Sequence, residues 1–221
     1  MTALNEQDNI TQAITQMHQA LSSCLRDFCI VVIDDGSSDE TYARAKEMDL
    51  TNLLVIKNST NLGTGQSIRA YLPHIKSEFY CWYPTDLELS PFEITKLIEK
   101  ANGQDIVASY LVGDERASAR KMLSKTFTHI LNLSFGMDLP YYNGVSLIKT
   151  SLLPASHLIS SKRFFTHAEI LLLSINEEVK LTSVGLHLFP RASGESKAMR
   201  LNAFWDVGIN YLRLVSKKMR S

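Results

Sequence analysis

Apolar residues recur along this chain with two alternating periods. Over 5–22, Ile10, Ala13, Ile14, Met17 and Leu21 fall three or four apart, the spacing that aligns one face of a helix. Short β-branched and aromatic runs follow at 28–33, 53–57, 79–83 and 105–111, separated by helical stretches near 40–48, 64–76 and 91–101. Strand and helix alternating in this way predict an α/β domain built on a largely parallel sheet. After Leu111 the pattern changes. A polar segment at 113–120 leads into a helix at about 121–135, then Pro140-Tyr-Tyr-Asn-Gly144 and a short strand at 145–149. A helix near 165–177, a strand at 179–189 and an amphipathic helix from about 198 to 218 complete the chain. The second half therefore reads as α+β material folded onto the first sheet. Without repeats or linker-like stretches, 1–221 reads as one domain with halves at about 1–111 and 112–221.

The sharpest punctuation lies at Ile30-Val-Val-Ile-Asp-Asp-Gly-Ser-Ser-Asp-Glu-Thr41, where a buried-strand run stops at two carboxylates, a glycine and two serines. Ligands of open α/β sheets bind outside the carboxyl ends of the strands, so Asp34 and Asp35 fall where a polar ligand, a nucleotide rather than a protein, would be held. A local reading stands beside this one. Ser37 or Ser38 would cap the helix beginning near Glu40, with Asp39 and Glu40 at its positive end.

Three further clusters sit at strand ends. Asn61-Leu-Gly-Thr-Gly-Gln66 opens a helix, and its glycines either let backbone approach an anion or form a tight turn. It lacks the third glycine of the dinucleotide fingerprint. Tyr83-Pro-Thr-Asp-Leu-Glu88 offers Asp86 and Glu88, hard oxygen donors suited to magnesium or manganese when phosphate oxygens complete the shell; Ser90 and Pro91 alternatively mark a helix start. Phe189-Pro-Arg-Ala-Ser-Gly-Glu-Ser-Lys197 gathers Arg191 and Lys197 as an anion clamp, or as a solvated basic loop. Arg116 and Arg120, four apart, share a face if helical.

Composition narrows the partners. The 221 residues are 45% hydrophobic and 21% charged, ordinary globular values that support a sizeable core. Lys plus Arg and Asp plus Glu are 23 each, which gives no general argument for nucleic acid or bulk membrane attraction. Three cysteines, Cys24, Cys29 and Cys81, lack CxxC or zinc spacing and fit a reducing, cytoplasmic setting. No apolar run reaches the roughly 18 to 20 residues of a membrane helix.

Taken in order, Ala3-Leu-Asn-Glu6, Val32-Ile-Asp-Asp-Gly-Ser-Ser-Asp39, Asn61-Leu-Gly-Thr-Gly65, Asp86-Leu-Glu88 and Arg191-Ala-Ser-Gly-Glu-Ser-Lys197 resemble glycosyltransferase family 2, especially its dolichyl- and polyprenyl-phosphate sugar transferases. The resemblance implies a GT-A fold, a mostly parallel sheet flanked by helices, with a nucleotide-binding half and an acceptor-side half. It implies a GDP- or UDP-sugar donor, a divalent metal and inverting transfer, to a polyprenyl phosphate or to a glycan hydroxyl. By position, Ala3, Leu4, Glu6, Asp35, Gly63 and Asp86 would border the nucleotide-sugar. Asp86 and Glu88 would hold the metal, while Arg116, Arg120, Arg191, Ser196 and Lys197 would hold donor or acceptor phosphates. Asp86, Arg191 and Lys197 would carry the catalysis.

Departures from the family pattern modify these expectations. Pro84 stands where the first acid of the metal motif is expected, so a catalytically silent nucleotide-sugar-binding module is the alternative. Pro140-Tyr-Tyr-Asn-Gly144 replaces the usual acidic turn; its tyrosines would stack on a sugar or enter the core. Only Met1-Thr-Ala-Leu precedes Asn5, so the first strand is expected to be missing or reduced to a stub, as in a shortened form or an internal start. In the last helix Trp205, Val207, Tyr211, Leu212, Leu214 and Val215 precede Lys217, Lys218 and Arg220, a pattern for peripheral membrane contact or for packing on the domain.

Overall fold

The computed structural model describes residues 1–113, 118–163, 165–189 and 201–218, with no side chain described at 119, 201–206, 217 and 218. The strands are β1 (Thr2–Ala3), β2 (Ile30–Asp34), β3 (Leu53–Lys57), β4 (Phe79–Cys81), β5 (Ile106–Val112), β6 (Ser146–Lys149) and β7 (Leu181–His187). The helices are α1 (Ile10–Cys24), α2 (Thr41–Lys46), α3 (Thr64–Tyr71), α4 (Ile94–Lys100), α5 (Ser118–Phe135), α6 (Thr166–Ser174) and α7 (Leu201–Lys218).

Two ladders, β1-β2-β3 and β4-β6-β5-β7, are joined by a parallel bridge between Thr2 and Pro84. Among the described strands, only β6 runs antiparallel to its neighbours; β1, β2 and β3 pair in parallel, as do β5 and β7. The first strand is the expected stub, two residues long, yet it occupies the middle of the sheet. Ala3 lies opposite Asp34, and the Asp35 N–H donates to the Ala3 carbonyl at 2.8 Å.

Apolar side chains alternate across the strands and divide into two cores. On one face α1 buries Ile10, Ala13, Ile14, Met17, Ala20 and Leu21 against Val32, Val107 and Leu147, with Ile94 and Leu97 of α4 alongside. The other face packs α3, α5, α6 and α7 through Ile68, Leu131, Phe135, Ile170, Leu171 and Leu214. Tyr142 joins this core, fully buried, its hydroxyl donating to Asn132 Oδ1 at 2.6 Å, while Tyr141 stays half-buried. Of the two tyrosines, Tyr142 is therefore a packing residue.

Two local expectations are corrected. The first helix starts at Ile10 rather than residue 5, because the amides of Asn5, Glu6 and Gln7 donate to Ser37 Oγ, Thr41 Oγ1 and Asp39 Oδ2 instead of forming helix. The start of α2 is organised by Asp39 rather than Ser37 or Ser38: its Oδ1 accepts from the Thr41 N–H at 3.0 Å and hydroxyl at 2.5 Å. The serines face Asn5.

Candidate functional site

The parallel strands β1 and β2, with the Pro84 bridge beside them, deliver their carboxyl ends to one edge. The loops at 4–9, 35–40, 58–63 and 84–90 gather there. Both non-glycine residues with positive φ among the described residues lie in these loops, Asn5 at 55° and Leu87 at 58°. Such conformations cost energy in a chain of L-residues and persist where neighbours hold them. Asn5 is held by Ser38, whose N–H donates to Asn5 Oδ1 at 3.0 Å. Leu87 is held because the Glu88 N–H donates back to Asp86 Oδ1 at 3.2 Å and the Glu88 carbonyl accepts from the Phe189 N–H at 2.8 Å.

Asp35 is the hub of the edge. It is 3% exposed and takes four donors: Asn58 Nδ2 at 2.8 Å, the Leu62 N–H at 3.0 Å and the Ser67 hydroxyl at 2.8 Å on Oδ1, and the Gly63 N–H at 2.8 Å on Oδ2. Asp34 is fully buried; its Oδ1 accepts from the Ser37 N–H at 3.2 Å, while its Oδ2 has no hydrogen-bond partner. A buried carboxylate oxygen without a donor is costly, so Asp34 leaves an unmet polar demand at the end of β2. Burial opposes ionisation of Asp39, but hydrogen bonds from Thr41 and Gln7 outweigh it and hold that carboxyl below its ordinary 3.8.

The other expected residues divide by location. Ala3 is buried in the sheet and Leu4 is half-buried at its end. Glu6 turns toward α1, its Oε2 accepting from Asn9 Nδ2 at 2.8 Å. The Gly63 amide serves Asp35, and a Cβ at Gly63 would lie 2.6 Å from the Lys162 carbonyl oxygen. Asp86 and Glu88 are half-buried in one turn next to β1, where Thr85 Oγ1 donates to the Thr2 carbonyl at 3.2 Å. Arg120 is half-buried in the first turn of α5. Arg116, Arg191, Ser196 and Lys197 lie outside the described residues.

A divalent ion fits this donor set in one specific sense. Among the described residues no group of three or more His, Cys, Asp or Glu side chains forms a metal cage. Magnesium and manganese are commonly held by one or two carboxylates plus phosphate oxygens, so Asp86 and Glu88 suit an ion shared with a bound diphosphate.

Sequence reasoning missed Asn58 and Ser67. Asn58 and Ser67 are ordinary polar residues in the sequence and become visible only when β3 and α3 close on Asp35. His167 was missed as well. It lines a cavity of about 20 Å³ with Tyr80, Trp82, Gly144 and Ser146, room for one water, and stacks on Trp82 with centroids 3.9 Å apart. Desolvation pushes its imidazole down to about 4.

Comparison with known proteins agrees with this geometry. A family model described as Glycosyl transferase family 2 matches residues 1–152. Undecaprenyl-phosphate 4-deoxy-4-formamido-L-arabinose transferase of Klebsiella pneumoniae (strain 342) is 28% identical over 142 residues, 62% of this chain and 43% of that protein. Its counterpart in strain ATCC 700721 / MGH 78578 of subspecies pneumoniae is 27% identical over the same length. The matched region thus spans under half the length of these curated relatives. Crystal structures of glucosyl-3-phosphoglycerate synthase from Mycobacterium tuberculosis superpose on 97% of this chain. The complex with Mn2+, UDP and phosphoglyceric acid gives a TM-score of 0.73 at 18% identity and 76% of its own length; the complex with Mg2+ and UDP gives 0.73, 18% and 77%. At that identity the likeness carries the fold, which is GT-A. On the family match over most of its length, the chain belongs to glycosyl transferase family 2.

Proposed function

We propose that this chain transfers a sugar from a nucleotide-diphosphate sugar, GDP- or UDP-linked, to a polyprenyl phosphate with inversion. The observation that carries the reading is the carboxylate edge, where Asp34 and Asp35 at the end of β2 and Asp86 beyond β4 flank the central β1. Family membership and the polyprenyl-phosphate chemistry in the names of the curated relatives support the same choice of acceptor.

In this account Ala3, Leu4, Glu6, Asp35 and Gly63 border the nucleotide. Asp86 and Glu88 would hold a magnesium or manganese ion, which would offset charge on the departing nucleotide diphosphate. Arg116, Arg120, Arg191, Ser196 and Lys197 supply phosphate contacts, and Arg191 and Lys197 act on the leaving group. A phosphate acceptor is ionised near neutral pH and needs no strong general base.

The domain divides by role at about residue 111 into nucleotide and acceptor halves. Peripheral membrane contact would run along α5 and α7. These helices are tied by Ser134 Oγ to Tyr211 OH at 2.7 Å and expose Met122 at 69%, Leu133 at 72% and Leu212 at 63%. No helix among the described residues is long and apolar enough to cross a membrane.

The test is transfer of labelled sugar from GDP- and UDP-sugars to undecaprenyl phosphate, with a glycan acceptor in parallel. Transfer to the lipid phosphate supports the reading, and transfer only to the hydroxyl acceptor replaces it. One observation favours a second reading. Pro84 occupies the first position of the acidic turn, which suits a module that binds donor without transferring it; such a module binds donor and yields no product with either acceptor.

A further inference from the structure

Glu169 of α6 is fully buried, and no cation compensates it among the described contacts; four donors do. Its Oε1 accepts from the Ser160 N–H at 3.0 Å and the Ser160 hydroxyl at 2.7 Å. Its Oε2 accepts from the Ser161 N–H at 2.9 Å and, very closely, from the Ser161 hydroxyl. A carboxylate so satisfied fixes the backbone that satisfies it. That backbone, 159–163, lies as a strap across the start of α3. The Gly65 N–H donates to the Lys162 carbonyl at 2.9 Å. A Cβ at Gly65 would meet the Ser161 carbonyl oxygen at 2.5 Å, so the strap seats only because residues 63 and 65 carry no side chain. The far side of the same turn supplies the Leu62 and Gly63 amides to Asp35.

We propose that Glu169 is a positioning residue for the nucleotide edge: by holding the 159–163 strap against the 63–65 turn, it sets the orientation of Asp35. The consequence for binding rests on the reading that Asp35 contacts the nucleotide. The mechanical coupling does not. It joins the second half of the chain to the first through direct hydrogen bonds and one backbone contact, with a buried carboxylate at each end.

The experiment is amide hydrogen exchange on ligand-free wild type and Glu169→Gln, which keeps the side-chain volume and removes the charge. Exchange at Leu62, Gly63 and Gly65 is expected to accelerate about tenfold or more. Loosening confined to 159–174, with 58–67 unchanged, overturns the coupling. Ser160→Ala, which deletes one donor, gives the same comparison if Glu169→Gln does not fold. In parallel, UDP and GDP binding with Mn2+ is measured for wild type, Glu169→Gln, Asp35→Asn and the double variant. The proposal expects about tenfold weaker binding for Glu169→Gln and no further loss in the double variant beyond Asp35→Asn. Full additivity contradicts action through Asp35. If wild type binds neither nucleotide, the functional reading fails while the exchange result still decides the coupling.

Discussion

His167 shows how one side chain makes stability depend on pH. Its ordinary pKa of 6.5 applies in the unfolded chain, whereas desolvation lowers it to about 4 in the fold. Above 6.5 both states are neutral and the residue contributes no pH dependence. As pH falls from 6.5 towards 4 the unfolded state takes up the proton first, so folding stability is lost across that window. The loss is about 3 kcal/mol when complete. His167→Gln is expected to flatten the urea-midpoint profile between pH 6.5 and 4, and an unchanged profile contradicts the assignment. Asp86 is tested by activity. Asp86→Asn should keep the thermal midpoint within a few degrees and reduce sugar transfer by at least about 100-fold, because a preorganised charge at the leaving group is worth several kcal/mol. The position of Asp35 at a strand end was legible from the sequence. Its role as a four-donor hub was not, because Asn58, Leu62, Gly63 and Ser67 converge on it only after β3 and α3 fold back beside β2. Glu169 was hidden for the same reason: in a nearly all-buried helix it reads as one acid among apolar residues.

Element positions were more legible than the contacts of the loops between them. The edge strand β3 falls on the expected residues, and α3, α5, α6 and α7 begin within about three residues of expectation, because 2.0 and 3.6 periodicities are local properties. Loop geometry is not local. The 5–9 segment reads as helical in composition, yet its amides are drawn to the 37–41 loop, and an Asp39–Thr41 turn rather than a serine cap shapes the start of α2. Gly36 tests how tightly that loop is set. Its φ is +75°, and a Cβ would lie 2.5 Å from the Thr60 carbonyl carbon. Gly36→Ala is expected to lower unfolding free energy by about 2 kcal/mol or more, since strain and backbone overlap add. Chemical denaturation measures this directly, and a loss below about 0.5 kcal/mol would mean that the loop yields. Desolvation of the half-buried Cys81 on β4 has a chemical consequence as well, pushing its thiol up to about 12 while Cys24 and Cys29 lie exposed. Alkylation of the native protein should therefore modify two thiols, and all three only in denaturant.

At the scale of the whole molecule, a two-residue β1 joins two ladders into one sheet and places the carboxylates of β2 beside the turn that carries Asp86. This joint was foreseeable only through the family resemblance, because nothing in Thr2-Ala3 itself signals a central strand. The exposed apolar residues of α5 and α7 form a surface property of the same scale. Co-sedimentation with anionic vesicles is expected and should fall severalfold in Leu133→Glu/Leu212→Glu; equal sedimentation of both proteins contradicts membrane contact along these helices. The most direct test of the central claim is thermal stabilisation by a panel of GDP- and UDP-sugars, each with and without manganese, in wild type and Asp86→Asn. The account predicts a metal-dependent upward shift with one donor class in wild type, strongly reduced in Asp86→Asn. A folded wild-type protein that no donor stabilises, with or without manganese, would contradict it.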